Sequence, residues 1–486
     1  MGLRQKTVNG ILWTGLGTVG SGVIGFIVTM FLSRHLTPSD FGLIEIILSL
    51  VIIFEVLIDC GFSQALIREK NVTQRDLSTV FYLNILMALF LYLCIFLGAP
   101  YVAHFYTSGA DFELVLRVLS TKIIFDALAI CQTANCNRLM RFGFLAKVTI
   151  ISMIFSGLLS VIAVYLGVGI WAIVIYYLGL SFLKCLFLNF LNKWHPSLEF
   201  DKSRIKYYLS FGGSLMILRI ADKVITSIES LCVGKTYSKA DLGLFSQARR
   251  FENLIIQNMV SIVQKVTYPA LSKISSEERL RSSYEDVMRI TVWIILPIAM
   301  YMFFYAETFL YVVFGKQWVI AAPFLRLFSI FSMLDPLYEI CWNIFLVKAK
   351  TKKLMYIGLC KQTIRVLVLF VTLQYSIIWF TVGIVMVMFI ASLVYIYFSG
   401  ELIRYPMRKM FKDNFGTFFT ALICVGISKF TLAFTPLSTM SLTLFFISFF
   451  ISIFSYIVVS CIIKNRASNV VISIGKELYQ NFRLDK

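Results

Sequence analysis

The sequence is poor in the residues that usually carry chemistry. Its three histidines, His35, His104 and His195, lie far apart in or beside polar turns, which argues against zinc. Its ten cysteines fall almost entirely inside apolar runs and never form CxxC, so they read as small apolar residues and not as a disulfide or metal framework. No Walker A pattern occurs, which leaves an ion gradient or substrate flux as the energy source. "GLGTVG" (15–20) fits GxGxxG, but it lies inside an apolar run without the preceding strand that a dinucleotide site needs. Its glycines, with Gly22 and Gly25, read as close packing or a bend in a helix. "MGLRQKTVNG" leads into a full-length apolar run with no small-residue cleavage site, so no cleavable signal is expected, and Lys6 breaks the myristoylation pattern.

Long apolar runs are what the sequence has in abundance. Of 486 residues, 59% are hydrophobic, and many runs exceed the roughly 18 residues needed to cross a bilayer as a helix. The runs are continuous and not alternating, so helices are expected and not a barrel. The sequence predicts an all-α polytopic membrane protein with about fourteen spans: 8–33, 41–66, 80–100, 114–136, 144–166, 170–191, 207–233, 242–271, 287–306, 318–347, 354–374, 377–399, 415–434 and 439–463. The fifth and sixth are split at "LGVG" (166–169), where glycines punctuate a turn.

Charge tests this count. The net charge of +19 would suggest nucleic acid in a soluble protein; here it reads first as inward-facing loops, and no nucleic-acid partner is expected. With both termini cytoplasmic, the inside segments, counted with Lys147 and Lys184 at the inner parts of their spans, hold 29 Lys or Arg, and the outside turns hold only Arg34, Lys235, Lys239 and Lys316. No outside segment exceeds about fifteen residues, so there is no room for an extramembrane catalytic domain. That argues against an enzyme such as a membrane glycan polymerase or ligase.

The chain also repeats itself. "RHLTPSDFGLIEI" (34–46) returns as "KTYSKADLGLFSQ" (235–247), and "LRVLS" (116–120) returns as "LRLFS" (325–329) with Asp126 and Asp335 in step. The first six spans thus resemble spans seven to twelve, which gives two parallel lobes around a central cavity, one of the repeat arrangements of secondary transporters. The expected division is 1–200, 201–405, and an appendage of two spans with a tail at 406–486. The turn itself, Ser or Thr followed by Asp and Gly-Leu, reads as helix-capping chemistry.

Ionisable groups at membrane depth cost at least about 2.5–3.5 kcal/mol each, so they should face water or one another. Arg219 and Lys223 share a helix face, as do Lys361 and Arg365. With Arg249, Arg250 and Lys122 they form a candidate cationic cavity suited to a pyrophosphate. Glu55 and Asp59 also lie one turn apart; with Asp222 and Glu45 they are candidates for binding a proton or sodium ion. Arg219 with Asp222 also fits a local ion pair, and Arg117 and Arg326, near span ends, fit snorkelling to headgroups.

"WTGLGTVGSGVIGFIVTMFLSRHLTPSDFGLIEI" (13–46), "DCGFSQALIREKNVTQRDLSTVFYLN" (59–84) and "AP…A.FY" (99–106) resemble the bacterial polysaccharide and O-antigen flippases, nearest in type to the colanic-acid exporters. These belong to the multidrug/oligosaccharidyl-lipid/polysaccharide exporter superfamily. The resemblance implies a non-enzymatic transporter of the inner membrane, without a cofactor. Its cargo would be a polyprenyl-pyrophosphate-linked oligosaccharide, moved by alternating access and often coupled to protons or sodium. It implies membrane lipids and the polysaccharide polymerase and export machinery as partners. Peptidoglycan-precursor flippases of the superfamily carry arginines in span one; this chain has none there before Arg34. A drug/cation antiporter of the same superfamily is the alternative, but it would call for net acidic walls.

Overall fold

The computed structural model describes residues 3–59, 62–69, 72–106, 110–192, 194–201, 214–257, 259–260, 263, 267, 271, 274, 276–433 and 441–463. Among them there are helices and no strands. In chain order the helices are α1 (Leu3–His35), α2 (Pro38–Asp59), α3 (Phe62–Arg68), α4 (Gln74–Phe105), α5 (Ala110–Ser120), α6 (Lys122–Arg138), α7 (Phe142–Tyr165), α8 (Trp171–Leu191), α9 (Ser214–Thr236) and α10 (Lys239–Glu252). After a π-helical turn at Asn253–Gln257 come α11 (Glu277–Phe304), α12 (Ala306–Phe314), a 3-10 turn at Lys316–Ala321, α13 (Ala322–Ser332), α14 (Asp335–Val347), α15 (Thr351–Thr372), α16 (Ile377–Ile403), α17 (Met407–Ala433) and α18 (Leu442–Ile462).

Each of the fourteen expected spans overlies one of these helices or a pair of them. Parts of spans seven (207–213) and eight (within 258–271), and the tail after Ile463, lie outside the described residues. Nine helices among the described residues are long and apolar enough to cross a membrane alone, and a bent pair, Lys316–Ser332 with Leu337–Val347, makes a tenth. The fourth expected span falls on two helices, α5 and α6, joined at Thr121, whose own backbone is helical (φ −60°, ψ −21°).

The chain divides into two compact units, Met1–Ser246 and Gln247–Lys486. In the first, α1 lies along α7, α7 along α8, and α6 against α4 and α8. Glycine sets the α1–α7 approach: a Cβ on Gly17 would come within 2.9 Å of Ala146 Cβ, and one on Gly157 within 2.5 Å of Val28 Cγ2. The GxGxxG stretch is therefore a packing surface in α1, the small-residue contact that lets helices approach without a hydrophobic drive. The α7–α8 turn uses Gly167 (φ +74°) and Gly169 (φ +59°), a left-handed backbone that side chains disfavour.

Helix α9 belongs to the first unit because it packs along α2. Both copies of the repeated turn cap their helices in the same way. Asp40 accepts from Thr37 N and Oγ1 (2.9 and 2.7 Å), and Asp241 accepts from Ser238 N and Oγ (3.3 and 2.6 Å). The caps leave Gly42 and Gly243 at the point where the two turns meet, and Gly42 is buried there.

In the second unit α11 is the central helix, packing on α13, α14, α17 and α18. Hydrogen bonds hold the two appended helices to it: Tyr301 Oη with Ser448 Oγ (2.8 Å), Tyr305 Oη with Ser428 Oγ (2.8 Å), and Tyr456 Oη donating to the Trp293 carbonyl (2.9 Å). One end of α11 carries an ionic cluster. Arg289 binds Glu285 (3.2 Å), Asp286 (3.1 Å) and Asp413 (2.6 Å), while Lys409 binds Glu285 (2.8 Å). Tyr405 donates to Asp413 (2.9 Å) and packs edge-on to Tyr284. Burial pushes the Asp413 carboxyl up, but the hydrogen bonds from Arg289 and Tyr405 outweigh it and hold it below the usual carboxylate range.

Candidate functional site

The densest intramembrane charge in the first unit is a triad. Lys122 begins α6, directly after Thr121. Its ammonium donates both to Glu55 on α2 and to Asp126 one turn along α6. The three side chains are 16% (Lys122), 29% (Glu55) and 26% (Asp126) exposed, so they are mostly covered yet reachable. Two carboxylates offset the cost of its charge at membrane depth.

The structure gathers Glu55 with Lys122 and Asp126, and places Asp59 elsewhere. Asp59 ends α2 and accepts from Ser63 N (3.1 Å) and Oγ (2.6 Å), capping α3. Glu45, nearer the other end of α2, accepts from Ser230 Oγ of α9 at 3.3 Å. Arg219 and Lys223 stand on one exposed face of α9, with Asp222 half-buried between them.

In the second unit Arg249 and Arg250 are half-buried near the end of α10. Arg365 on α15 is 1% exposed and donates to Gln362 Oε1 at 3.4 Å. Lys361, one turn earlier, lies 5.8 Å from the centre of the Tyr338 ring, which packs against Trp342 and Tyr395. Arg117 and Arg326, expected at headgroups, pair with carboxylates: Arg117 with Glu113 (2.8 Å) and Arg326 with Glu307 (2.9 Å).

Two residues outside the candidate set make contacts of the same kind. Asp126 is one; its i,i+4 spacing from Lys122 was the available signal. Glu252 is the other. It is 4% exposed at the end of α10 and accepts from Ser332, the last residue of α13 before the break to α14. A π-helical turn follows it at once, a feature common at functional positions. In each unit a carboxylate thus contacts a residue beside a helix junction: Glu55 meets Lys122, just after Thr121, and Glu252 meets Ser332, the last residue of α13. Nothing in the local sequence around Glu252 announces that contact. Among the described residues, no three His, Cys, Asp or Glu side chains gather as a metal site would require.

The family described as "Polysaccharide biosynthesis protein" matches residues 31–323, which is more than half of the chain. This chain belongs to that family. It is 23% identical over 357 residues to the teichuronic acid biosynthesis protein TuaB of Bacillus subtilis (strain 168), covering 73% of this chain and 74% of the relative. It is 20% identical over 353 residues to the lipopolysaccharide biosynthesis protein WzxC of Escherichia coli (strain K12), covering 72% of each. Among solved structures, the lipid II flippase MurJ in an inward closed conformation aligns with a TM-score of 0.75 and 16% identity, over 93% of this chain and 98% of that one. The family member is thus an integral membrane protein with the all-helical fold of polytopic transporters.

Proposed function

We propose that this protein translocates a polyprenyl-pyrophosphate-linked oligosaccharide across the inner membrane for surface polysaccharide export. The observation that carries the reading is the exposed Arg219–Lys223 face of α9, in a membrane protein of a polysaccharide biosynthesis family. At 1.5 Å per residue Lys223 lies about 20 Å along the axis from Thr236, inside a hydrocarbon core about 30 Å thick, with Arg219 one turn nearer its far edge. Exposed cations at that depth call for water and an anion, not lipid.

In this reading the sugar and pyrophosphate enter a cavity between two lobes, 1–200 and 201–405, while the lipid tail stays in the bilayer and 406–486 is appended. Arg219, Lys223, Arg249, Arg250 and Lys361 supply the cationic walls, Arg365 stands buried behind Lys361, and Tyr338 beside Lys361, with Trp342 packed on it, offers a ring face to a sugar. Both termini are cytoplasmic in this reading, which the Lys/Arg asymmetry supports. A proton or sodium ion at the acidic groups resets the cycle, and the cargo passes to a polysaccharide polymerase and export machinery.

The test is deletion of the gene in its native host, with lipid-linked glycans measured on the cytoplasmic leaflet. Accumulation relieved by the wild type but not by Arg219→Ala supports the reading and names the glycan. No accumulation, with a changed drug sensitivity instead, would replace it with the antiporter.

A further inference from the structure

The connection between the two repeats leaves α8 and crosses the start of α4, where side chains of α4 and α6 serve its irregular backbone. Gln132 Nε2 donates to the Trp194 carbonyl (3.1 Å) and Gln74 Nε2 to that of His195 (2.6 Å). Ser197 N donates to Ser78 Oγ (2.9 Å), and Asp201 N donates to Thr79 Oγ1 (2.9 Å). Glu199 pairs with Arg75 at 3.4 Å. A loop in water needs no such supply, because water serves its polar groups. At the edge of a hydrocarbon core it does. Ser78 and Thr79 stand at that edge, beside the apolar run that begins at Val80.

The row of α4 that receives the segment is the row that faces outward along the rest of the helix. Leu86, Phe90, Leu93 and Leu97 are exposed, as the lipid-facing side of a spanning helix is. Steps of three or four residues back from them lead through Tyr82 to Thr79 and Arg75. There the row turns polar, and the segment covers Thr79 and pairs with Arg75. Leu198 and Phe200 come between the residues that bind α4, and they are 96% and 45% exposed. The segment thus resumes the apolar surface of α4 at the point where α4 itself loses it.

We propose that residues 194–201 form an interfacial segment whose Leu198 and Phe200 enter the acyl chains of the leaflet at the N-terminal end of α4, so that phospholipid is the occupant of this surface. Trp194 suits the same boundary: its ring packs edge-on to Phe81 at 5.9 Å, and its N–H donates to Gln74 Oε1 at 2.6 Å. The neighbouring charges, Arg75 and Glu199, neutralise each other, so the contact is apolar and does not select anionic lipid. The connection between the repeats is then fastened twice, to α4 by hydrogen bonds and to lipid by two side chains. This goes beyond the transport reading and makes no use of the cargo.

The experiment uses the purified full chain in nanodiscs of phosphatidylcholine, with or without phosphatidylglycerol. The photoreactive residue p-benzoylphenylalanine replaces Leu198, Phe200 or, as the control, Arg279, which lies exposed in the charged start of α11 outside the apolar run 287–306. After irradiation, intact-mass spectrometry should show a phospholipid adduct at 198 and 200 about fivefold above that at 279, and equal in the two lipids. Adducts at 198 and 200 no greater than at 279 would overturn the proposal, and so would adducts that need phosphatidylglycerol. The same chains irradiated in native membranes decide the occupant. Lipid adducts are expected; a protein adduct of one defined mass in their place would give the surface to a protein partner and overturn the proposal. Should the photoreactive chains fold poorly, Phe200→Trp supplies a second readout. Its fluorescence, less that of the wild type, should be quenched by lipids brominated on the acyl chain and not by aqueous iodide, and the reverse would overturn the proposal.

Discussion

Gly42 and Gly243 meet at the junction of the two copies of one turn, each pressed against the other's backbone. A Cβ on Gly42 would lie 1.8 Å from the Lys239 carbonyl oxygen, and one on Gly243 would lie 1.8 Å from that of Pro38. Each would also come within 3.0 Å of the other glycine's nitrogen. The repeated sequence thus does more than cap two helices. It builds two matching surfaces that fit only without side chains.

Alanine at either glycine should therefore force the turns apart. Overpacking a core usually costs about 1–3 kcal/mol, and here the obstacle is backbone and cannot rotate away. Gly42→Ala and Gly243→Ala should each cut glycan export at least tenfold while the protein still reaches the membrane. Leu43→Ala, which adds no atoms, should act far more weakly. Ile46→Cys, set beside Gly234 just beneath the turns, gives a second readout: it should become reactive to an impermeant thiol reagent when Gly42 is alanine. Unchanged export and labelling in both alanine variants would refute this account.

The ionic cluster on α11 predicts a defined acid dependence. Arg289 and Tyr405 bind the charged form of Asp413 and hold its carboxyl below the usual aspartate value of about 3.9. A carboxyl whose folded pKa is lowered stabilises the fold above its unfolded pKa, and loses that contribution as pH falls through the folded value. Asp413→Asn should therefore lower the melting temperature by a constant amount between pH 5 and 8. The gap to the wild type should close below about pH 4. Arg289→Ala, which leaves the mostly buried Asp413 without its guanidinium while Lys409 still holds Glu285, should be worse, with a total loss of up to about 3–5 kcal/mol. Melting curves in detergent across this range would check both.

Much of the fold was legible because the bilayer restricts what a chain can do. Apolar length and Lys/Arg alternation placed the spans, and "LGVG" marked the α7–α8 turn because left-handed backbone needs glycine. The site was less legible. Spacing put Glu55 and Asp59 on one helical face, but α2 ends at Asp59, which turns to cap α3. Lys122 meets Glu55 through the packing of α6 on α2, a tertiary contact that periodicity along one helix does not show. Glu252 met Ser332 only through tertiary packing between helices eighty residues apart in sequence.

The Glu252–Ser332 contact yields the last prediction. Ser332→Ala removes the donor and leaves a carboxylate 4% exposed without that hydrogen bond. Such a loss costs about 1–3 kcal/mol, since a buried acceptor loses its partner without regaining water. Glu252→Gln keeps an acceptor for Ser332 and removes the charge, so its melting temperature should stay near or above the wild-type value. The two variants therefore separate stability from transport. Should Glu252 only fasten α10 to the α13–α14 break, Glu252→Gln will export glycan normally. Should its charge serve the cycle, Glu252→Gln will be stable and inactive, while Ser332→Ala will be unstable and partly active. Thermal melts and the leaflet assay, run side by side on both variants, distinguish a fastening from a working carboxylate.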